Sequence, residues 1–230
     1  MKSTSKLSSE ERRAAIIKAV RRLFAEKGFD GTTTRELAEA AGVSEALLFK
    51  HFPNKEALFS AIKHSCCGQQ AVGTFERLQT LEPGASTLVL MVHFLLSRIV
   101  GCRAERDDEQ PSLNRLVLRS LAEDGEFARL LIDRLASNWI PKIEECLKVA
   151  VRAGDAIDCP VPGNLRGWFA HHVASMVSIN LLPPTPVIDY GMPREKLAEH
   201  VVWFVLRGLG LKEETIKRYY NPQALGLFAI

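Results

Sequence analysis

Three neighbouring residues, His64, Cys66 and Cys67, carry the nitrogen and sulfur atoms that bind transition metals or undergo thiol oxidation. Consecutive residues of a helix project about 100° apart, so Cys66 and Cys67 cannot readily hold one ion together. The chain has five cysteines, an odd number without zinc-ribbon or zinc-knuckle spacing. We therefore predict no metal and no cofactor, and we expect a reducing, cytoplasmic environment.

Polar and basic side chains between residues 33 and 55 have the chemistry of nucleic-acid recognition. Residues 1–63 contain 12 Lys and Arg against 8 Asp and Glu, whereas residues 64–230 contain 18 against 19. The positive excess therefore lies in the N-terminal quarter of the chain. This distribution is expected if that part alone meets a polyanion.

The overall composition, 47% hydrophobic and 25% charged, is typical of globular proteins. No charged-then-apolar signal segment opens the chain, and its longest apolar run, near Val201, is broken by Arg207. A membrane-spanning helix needs about 18 or more apolar residues. We therefore expect a protein that is not integral to a membrane.

The elements that must position these side chains are predicted to be helices. After a tail of residues 1–8, which we expect to be disordered, Ser8 and Glu11 have the spacing of a capping box. Apolar residues then recur every three or four positions, which predicts an amphipathic helix. Gly28 is predicted to end this helix as a left-handed cap.

Two further short helices are predicted to follow, joined by a tight turn. Thr33 and Glu36 form a second potential capping box, and Gly42 permits a sharp turn. Ser44 is predicted to cap a third helix over residues 45–52. Two short helices joined by a glycine turn form a helix-turn-helix unit, whose second helix enters a major groove about 12 Å wide.

A specific pattern runs through this segment of the chain. It consists of Phe24-x3-Gly28, Thr32-Thr33, Leu37-Ala38, Ala41-Gly42-Val43-Ser44 and Leu48-Phe49-x-His51-Phe52-x-Asn54-Lys55-x2-Leu58. The pattern resembles the N-terminal domain of the TetR-type transcriptional regulators almost position for position. The resemblance implies an all-α fold, with an N-terminal three-helix helix-turn-helix DNA-binding domain and a C-terminal helical bundle for ligand binding and dimerisation.

Geometry and the resemblance together indicate which side chains meet DNA. Thr33 and Arg35, at the start of the second helix, are predicted to contact phosphates. Leu48 and Phe52 lie four residues apart and should face inward with Val43. Ser44, at the start of the third helix, is predicted to lie at the DNA. The side chains predicted to face the groove are Glu45, Ala46, Leu47 and Lys50. Glu45 could accept from a cytosine amino group, and Ala46 or Leu47 could pack on a thymine methyl group. Lys50 could reach guanine or a phosphate.

The resemblance adds two contacts with the DNA backbone and one departure. His51 and Lys55 match positions that usually contact the backbone in the family, Lys55 in the first turn of a fourth helix. Position 49 is Phe where the family usually has a Tyr whose hydroxyl contacts a phosphate. Phe49 cannot make that hydrogen bond, so we expect it to make an apolar contact with the sugar-phosphate wall.

The remainder of the chain is predicted to be helical. Gly68 and Gly73 are possible bends in a long fourth helix, because each costs about 1 kcal/mol relative to Ala. Five or six further helices are expected from residue 82 onward. Their predicted separators contain Pro or Gly: Gln110-Pro111, Asp124-Gly125, Gly154 to Gly163, Leu182 to Pro193 and Gly208-Leu209-Gly210.

Two late apolar segments, 165–182 and 195–209, are predicted to mediate dimerisation. The resemblance implies that they pack against a second copy as a four-helix bundle, although an internal core would also explain them. A two-fold dimer fits the palindromic sites that helix-turn-helix dimers bind.

A small-molecule pocket is predicted within the C-terminal bundle, where helices can leave an apolar cavity with a few polar groups. The candidate lining residues are His93, Arg98, Trp139, His171, His172 and Asn180. Helices rich in Leu and Val favour an apolar or amphipathic effector over a sugar phosphate.

The sequence contains no nucleophile elbow, phosphate-binding glycine loop, His-Glu-x-x-His site or dinucleotide fingerprint, so we predict that the protein is not an enzyme. We assign residues 9–63 to the DNA-binding domain and residues 64–230 to ligand binding and dimerisation. The predicted function is that of a homodimeric repressor that binds a palindromic operator in double-stranded DNA and is released by a small effector. An activator, or a DNA-binding protein that needs no ligand, is the alternative.

Overall fold

The computed structural model describes residues 8–65, 69–100 and 109–226, and within these ranges it contains helices and one isolated β-bridge, between Ala156 and Leu211, but no strand. A π-helical turn, Leu135–Trp139, joins two of the helices. The α-helices are α1 Ser9–Lys27, α2 Thr34–Ala40, α3 Glu45–His51, α4 Lys55–Ser65, α5 Gln69–Thr80, α6 Ala85–Val100, α7 Glu109–Ala122, α8 Glu126–Arg134, α9 Ile140–Arg152, α10 Gly163–Asn180, α11 Arg194–Gly208, α12 Glu213–Tyr219 and α13 Pro222–Gly226. The predicted all-α fold class is confirmed.

The chain forms two compact units. The first consists of residues 1–68 and 107–130, and the second of residues 69–106 and 131–230. The first unit therefore contains α1 to α4 together with α7, which packs against α1. The boundary after residue 63 remains a prediction, and the helical pattern alone gave no sign that a segment so far along the chain packs on α1.

The core of the first unit forms where α1 meets the short helices. Ile16, Val20 and Phe24 are spaced four residues apart on α1, and each is at most 1% exposed. Other buried apolar residues of this unit lie on α2, on α3 and the residue that follows it, and on α4. They are Leu37, Leu48, Phe52, Leu58 and Ile62. This core holds the helix-turn-helix unit against α1.

The core of the second unit is centred on α6, which packs against α9, α10 and α11. Its buried side chains include Leu88, Val92 and Leu96, all 0% exposed. Small residues let two of these helices approach closely: a Cβ on Gly167 of α10 would lie 3.1 Å from the Cδ1 atom of Ile140. This unit contains all six candidate effector-binding residues.

The predicted helix ends agree with the structure at four of the five separators, from Asp124-Gly125 onward. The separator at Gln110-Pro111 is wrong, because both residues lie in the first turn of α7. Proline is tolerated there since the first amides of a helix have no intrahelical acceptor. Eight described α-helices, α6 to α13, follow residue 82, which is more than the five or six predicted.

Other predictions have mixed outcomes. Ser8 accepts a hydrogen bond from the Glu11 amide and Glu11 from the Ser8 amide, which confirms the first capping box; the rest of the predicted disordered tail lies outside the described residues. Gly28 ends α1 with a φ of 76°, but its ψ of 177° lies outside the left-handed helical region. Gly73 lies within α5 without a break, and Gly68 is outside the described residues. None of the helices described is long and apolar enough to cross a membrane.

Candidate nucleic-acid interface

The start of α2 is fixed by a capping box. The Thr33 hydroxyl accepts from the Glu36 amide at 3.3 Å, and Glu36 Oε2 accepts from the Thr33 amide at 2.8 Å. Lys27 Nζ donates to the other oxygen of Glu36 at 2.5 Å. The capping prediction is therefore confirmed. The Thr33 amide already donates to Glu36. It can therefore donate to a phosphate only if the hydrogen bond to Glu36 breaks.

The pKa of Glu36 is lowered from 4.5 to about 2, first by the hydrogen bond from Lys27 and then by those from Thr33. A group whose folded pKa is depressed stabilises the fold above its unfolded pKa and loses that contribution as pH falls through the folded value. The contribution of this cap to stability is therefore complete above about pH 4.5 and is lost towards pH 2.

A carboxyl titration followed by NMR checks this expectation. We expect the Glu36 carboxyl carbon to titrate with a midpoint of about 2, the lowered pKa that its contacts give it. The Glu36→Ala variant should lose the signal and, with the acceptor oxygen removed, the protection of the Thr33 amide. Glu39→Ala, which removes an exposed carboxylate of the same helix outside the cap, is the control. A midpoint near 4.5 for Glu36 would contradict the prediction.

The turn between α2 and α3 uses Gly42 as the sequence indicated. Its φ is 65°, a region that residues with a Cβ adopt at a cost of about 1–2 kcal/mol. The amides of Gly42 and Val43 donate to the carbonyls of Glu39 and Ala38, both at 3.0 Å, and so close the end of α2. These bonds set the direction in which α3 leaves the turn.

Helix α3 presents one buried and one exposed face. Ser44 Oγ accepts from the Leu47 amide at 3.2 Å and caps the helix. Leu48 and Phe52 are 2% and 1% exposed, so both face inward as predicted. The predicted groove-facing side chains lie on the other side: Glu45, Ala46 and Lys50 are exposed and Leu47 is half-buried.

Glu45 is already engaged in the free protein. The Thr34 hydroxyl donates to Glu45 Oε2 at 3.1 Å and links the first residue of α2 to the first residue of α3. An ionised carboxylate has two oxygens and about four acceptor positions. Glu45 can therefore keep this bond and still accept from a cytosine amino group.

The predicted backbone-contacting residues surround this face. Phe49 is 40% exposed, which suits an apolar contact with the sugar-phosphate wall. Arg35 pairs with Glu39 at 3.0 Å, but both side chains are largely exposed and such pairs contribute little stability. His51 is half-buried, and Lys55 Nζ lies 4.4 Å from the centre of the Phe29 ring. Lys55 therefore makes a cation–π contact in the free protein.

Arg13 belongs to this site although sequence reasoning did not single it out. Its Nη1 atom donates to the His51 carbonyl at 2.5 Å, and its Cζ atom lies 4.1 Å from the centre of the Phe52 ring. The two partners of the hydrogen bond are 38 residues apart in sequence. No local pattern indicates such a contact, since it depends on how α1 and α3 pack.

Comparisons with known proteins agree with this architecture. Residues 16–62 match the family described as bacterial regulatory proteins, tetR family. The HTH-type transcriptional repressor AcnR of Corynebacterium efficiens is 42% identical over 131 residues, which cover 53% of this chain and 70% of AcnR. The chain belongs to the TetR family. The resemblance found in the sequence is confirmed, and TetR-family proteins are DNA-binding transcriptional regulators.

Other relatives match over shorter or longer segments of the chain. The AcnR protein of Corynebacterium diphtheriae matches over 60 residues, 32% of its length. The regulator AcrR of Shigella flexneri is 32% identical over 159 residues, which cover 66% of this chain and 70% of AcrR. The crystal structure of AibR in complex with isovaleryl coenzyme A and operator DNA covers 84% of this chain and 97% of AibR, with a TM-score of 0.61 and 21% identity. This last comparison shows a shared fold.

In this TetR-family protein, three of the predicted effector-binding residues lie on or beside α6. Trp139 is 7% exposed and stacks on Phe94 at 6.0 Å, and Arg98 lies 5.8 Å from the centre of the same ring. The His93 side chain is 8% exposed and is within 3.2 Å of Ser97 Oγ. Burial lowers the His93 pKa, so this imidazole is neutral at pH 7.

The other three effector candidates lie on α10. His171 and His172 have ring centres 5.6 Å apart. Burial, and then the neighbouring charge of His172, lower the His171 pKa to about 4. His171 Nε2 is 3.3 Å from Ser175 Oγ, whereas its buried Nδ1 has no hydrogen-bond partner. Asn180 donates to the Met176 carbonyl within the same helix. Ligand contact by any of the six remains a prediction.

An open cavity of about 330 Å³ lies in the first unit. Its lining combines aromatic and acidic side chains, among them Phe29, Phe59, Asp30 and Glu56, and includes none of the predicted effector-binding residues. Among the residues whose positions are described, no three His, Cys, Asp or Glu lie close enough to hold a metal ion. Cys66, Cys67 and the His64 side chain fall outside that part of the chain.

Proposed function

We propose that this protein is a homodimeric transcriptional repressor that binds a palindromic operator through α3 and leaves it when a small effector binds. The observation that carries the proposal is the exposed face of α3, which is fixed at its start by Ser44 and the Thr34–Glu45 hydrogen bond. The family and its DNA-binding role are established by similarity, and AcnR of Corynebacterium efficiens is a repressor by name. We also expect the protein to be cytoplasmic, where its DNA partner would lie.

The chemistry of α3 suits sequence readout in a major groove. Lys50 is exposed and can donate to guanine, and Glu45 can accept from cytosine. Ala46 and Leu47 offer apolar contacts to a thymine methyl group. Around them, we propose that Thr33, Arg35, Phe49, His51 and Lys55 contact the DNA backbone and set the register of the helix.

Exposed apolar side chains on α10 and α11 support a dimer. Leu165, Phe169 and Met176 follow one another at spacings of four and seven residues, so they share one face of α10. They are 42%, 54% and 59% exposed, and Phe204 on α11 is 66% exposed. Exposed apolar side chains grouped on one face of a helix mark a candidate interaction site. We propose that a second copy of this chain covers it.

We propose that the effector is apolar or amphipathic and binds within the second unit. The helices there are rich in Leu, Val and Ile, and the polar groups of His93 and His171 are neutral at pH 7 and suited to orienting a ligand. AibR, which shares the fold, is crystallised with both an acyl coenzyme A and operator DNA. A ligand that binds the DNA-free state more tightly shifts the population away from DNA.

Duplexes selected by the protein from a random library test the proposal. We expect the selected duplexes to be palindromic and to bind at least about 10³-fold more tightly than shuffled duplexes at the same salt. A compound library screened for release from the selected duplex should then yield apolar or amphipathic compounds. Equal affinity for selected and shuffled duplexes would exclude a sequence-specific regulator, and release by no compound would exclude effector control.

The role of Lys55 can be separated from that of the base-reading residues. We expect Lys55→Ala to weaken binding to all duplexes to the same extent and to reduce the slope of log K against log salt by about one. Fluorescence anisotropy titrations at several salt concentrations give both quantities. Lys148→Ala, which removes the same charge from α9 in the second unit, should leave both unchanged. A loss of affinity confined to one base position would contradict a phosphate contact.

A further inference from the structure

Helix α3 has only seven residues, and helices of this length are unstable by themselves in water. Its orientation must therefore come from tertiary contacts, both those of its buried face and those at its two ends. The first end is held by Ser44 and by the Thr34–Glu45 hydrogen bond. The second end carries the His51 carbonyl. This carbonyl accepts no hydrogen bond within the helix and bears part of the negative end of the helix dipole.

We infer that Arg13 of α1 is the positioning residue that fixes this second end and thereby makes sequence-specific readout by α3 possible. The inference rests on the proposed function, because it assigns to Arg13 a part in DNA recognition by that helix. Arg13 is not assigned a direct contact with a base.

Two contacts of one guanidinium carry the inference. Arg13 Nη1 donates to the His51 carbonyl at 2.5 Å, a hydrogen bond strengthened by the positive charge. The same group lies over Phe52, with Cζ 4.1 Å from the ring centre, and the Phe52 side chain is itself 1% exposed. The ring cannot move without disturbing the core, so it provides a fixed surface for the guanidinium.

The planarity of arginine matters for this arrangement. A guanidinium can stack on a ring with its plane and donate from its edge at the same time, whereas the ammonium of lysine acts as a point charge. Arg13→Lys therefore preserves the charge of the surface but not the geometry at the end of α3. The last turn of this helix carries Lys50, so a loosened end displaces a proposed base contact. Functional side chains must be held within about 0.5 Å to be effective.

The test compares Arg13→Lys and Arg13→Ala with Arg22→Lys, an exposed arginine of the same helix that pairs with Glu26. The probes are one duplex selected by the wild-type protein and one shuffled duplex of the same composition. We expect Arg13→Lys to lower the ratio of the two affinities about tenfold and to leave the salt slope unchanged, because electrostatic attraction to phosphates remains. Arg13→Ala should lower the ratio at least as far, and Arg22→Lys should change neither quantity.

A different pattern would overturn the inference. If Arg13→Lys keeps the ratio, and Arg13→Ala weakens both duplexes equally with a slope reduced by about one, Arg13 is a phosphate contact. NMR of the free protein distinguishes a failure of the positioning role from a failure of the proposed function. The amide signals of His51 and Phe52 should shift in Arg13→Lys and not in Arg22→Lys, even if the wild-type protein selects no duplex. Unchanged signals would contradict the positioning role directly.

Discussion

The Phe52→Ala variant is expected to lose specific DNA binding and to lower the free energy of unfolding of the first unit by about 3–5 kcal/mol, the usual cost of removing a buried aromatic ring. The Phe52 side chain is 1% exposed, and its ring lies beneath the Arg13 guanidinium. Its removal leaves a cavity in the core and takes away the surface on which Arg13 rests. A loss of this size is a large part of the stability of an ordinary domain.

Phe49 provides a matched control within the same short segment. It has the same side chain but is 40% exposed, so Phe49→Ala should change the free energy of unfolding by no more than about 0.5 kcal/mol. We expect it to reduce DNA affinity modestly through its contact with the sugar-phosphate wall. Phe52 is thus expected to stabilise the fold, and Phe49, three residues earlier, to contact DNA.

Amide hydrogen exchange of α3, measured on the whole chain in increasing denaturant, distinguishes these outcomes. Tryptophan fluorescence follows the second unit separately, because the three tryptophans, Trp139, Trp168 and Trp203, all lie there. Phe52→Ala should accelerate exchange throughout α3 while the fluorescence transition is still observed. Equal exchange rates in the two variants would show that Phe52 does not hold α3 in place.

The parts of the interface that were predictable from the sequence are those encoded locally. Thr33 and Glu36 form their capping box across three residues, and Gly42 adopts the positive φ that a tight turn requires. Leu48 and Phe52 are buried because they repeat with the period of the helix. In each case the relevant partner is within one turn of the chain, so spacing and residue type are sufficient.

The contacts that escaped prediction join residues far apart in sequence through long, flexible side chains. Arg13 reaches the end of α3, and Lys55 rests on Phe29. A helical pattern shows that Arg13 lies off the apolar face but not what lies opposite it. The same limitation hid the packing of α7 on α1, because amphipathic helices present similar faces whichever neighbour they cover.

An apolar sequence pattern predicts that a helix has a buried face, but it does not say whether the same chain or a second copy covers that face. The sequence indicated that α10 and α11 are apolar but left an internal core and a dimer contact as alternatives. The structure buries one side of each helix, with Ala170, Ala174 and Val202 at most 4% exposed, and leaves Phe169 and Phe204 exposed. The internal core therefore accounts for the buried side of each helix, whereas a dimer contact through the exposed sides stays a proposal.

The Phe169→Glu variant is accordingly expected to be monomeric and to bind a palindromic duplex about 10²-fold more weakly than the wild-type protein, or weaker still. A carboxylate placed in an apolar contact must be desolvated without a partner, which opposes association. Without the dimer, the two half-sites are bound independently, and the gain of about 10²–10⁴ from linked binding is lost. Sedimentation velocity and anisotropy titrations measure the two effects.

The control Ile157→Glu introduces the same charge at an apolar residue that is 59% exposed outside α10 and α11. It should leave both the dimer and the affinity unchanged. The length of the duplex supplies a second check, because a duplex with a single half-site should bind wild-type protein and Phe169→Glu with similar affinity. If Phe169→Glu remains dimeric, a surface other than the exposed face of α10 holds the two copies together. If it is monomeric yet binds the palindrome as tightly as before, each DNA-binding unit recognises its site alone, and the palindromic operator has no role in affinity.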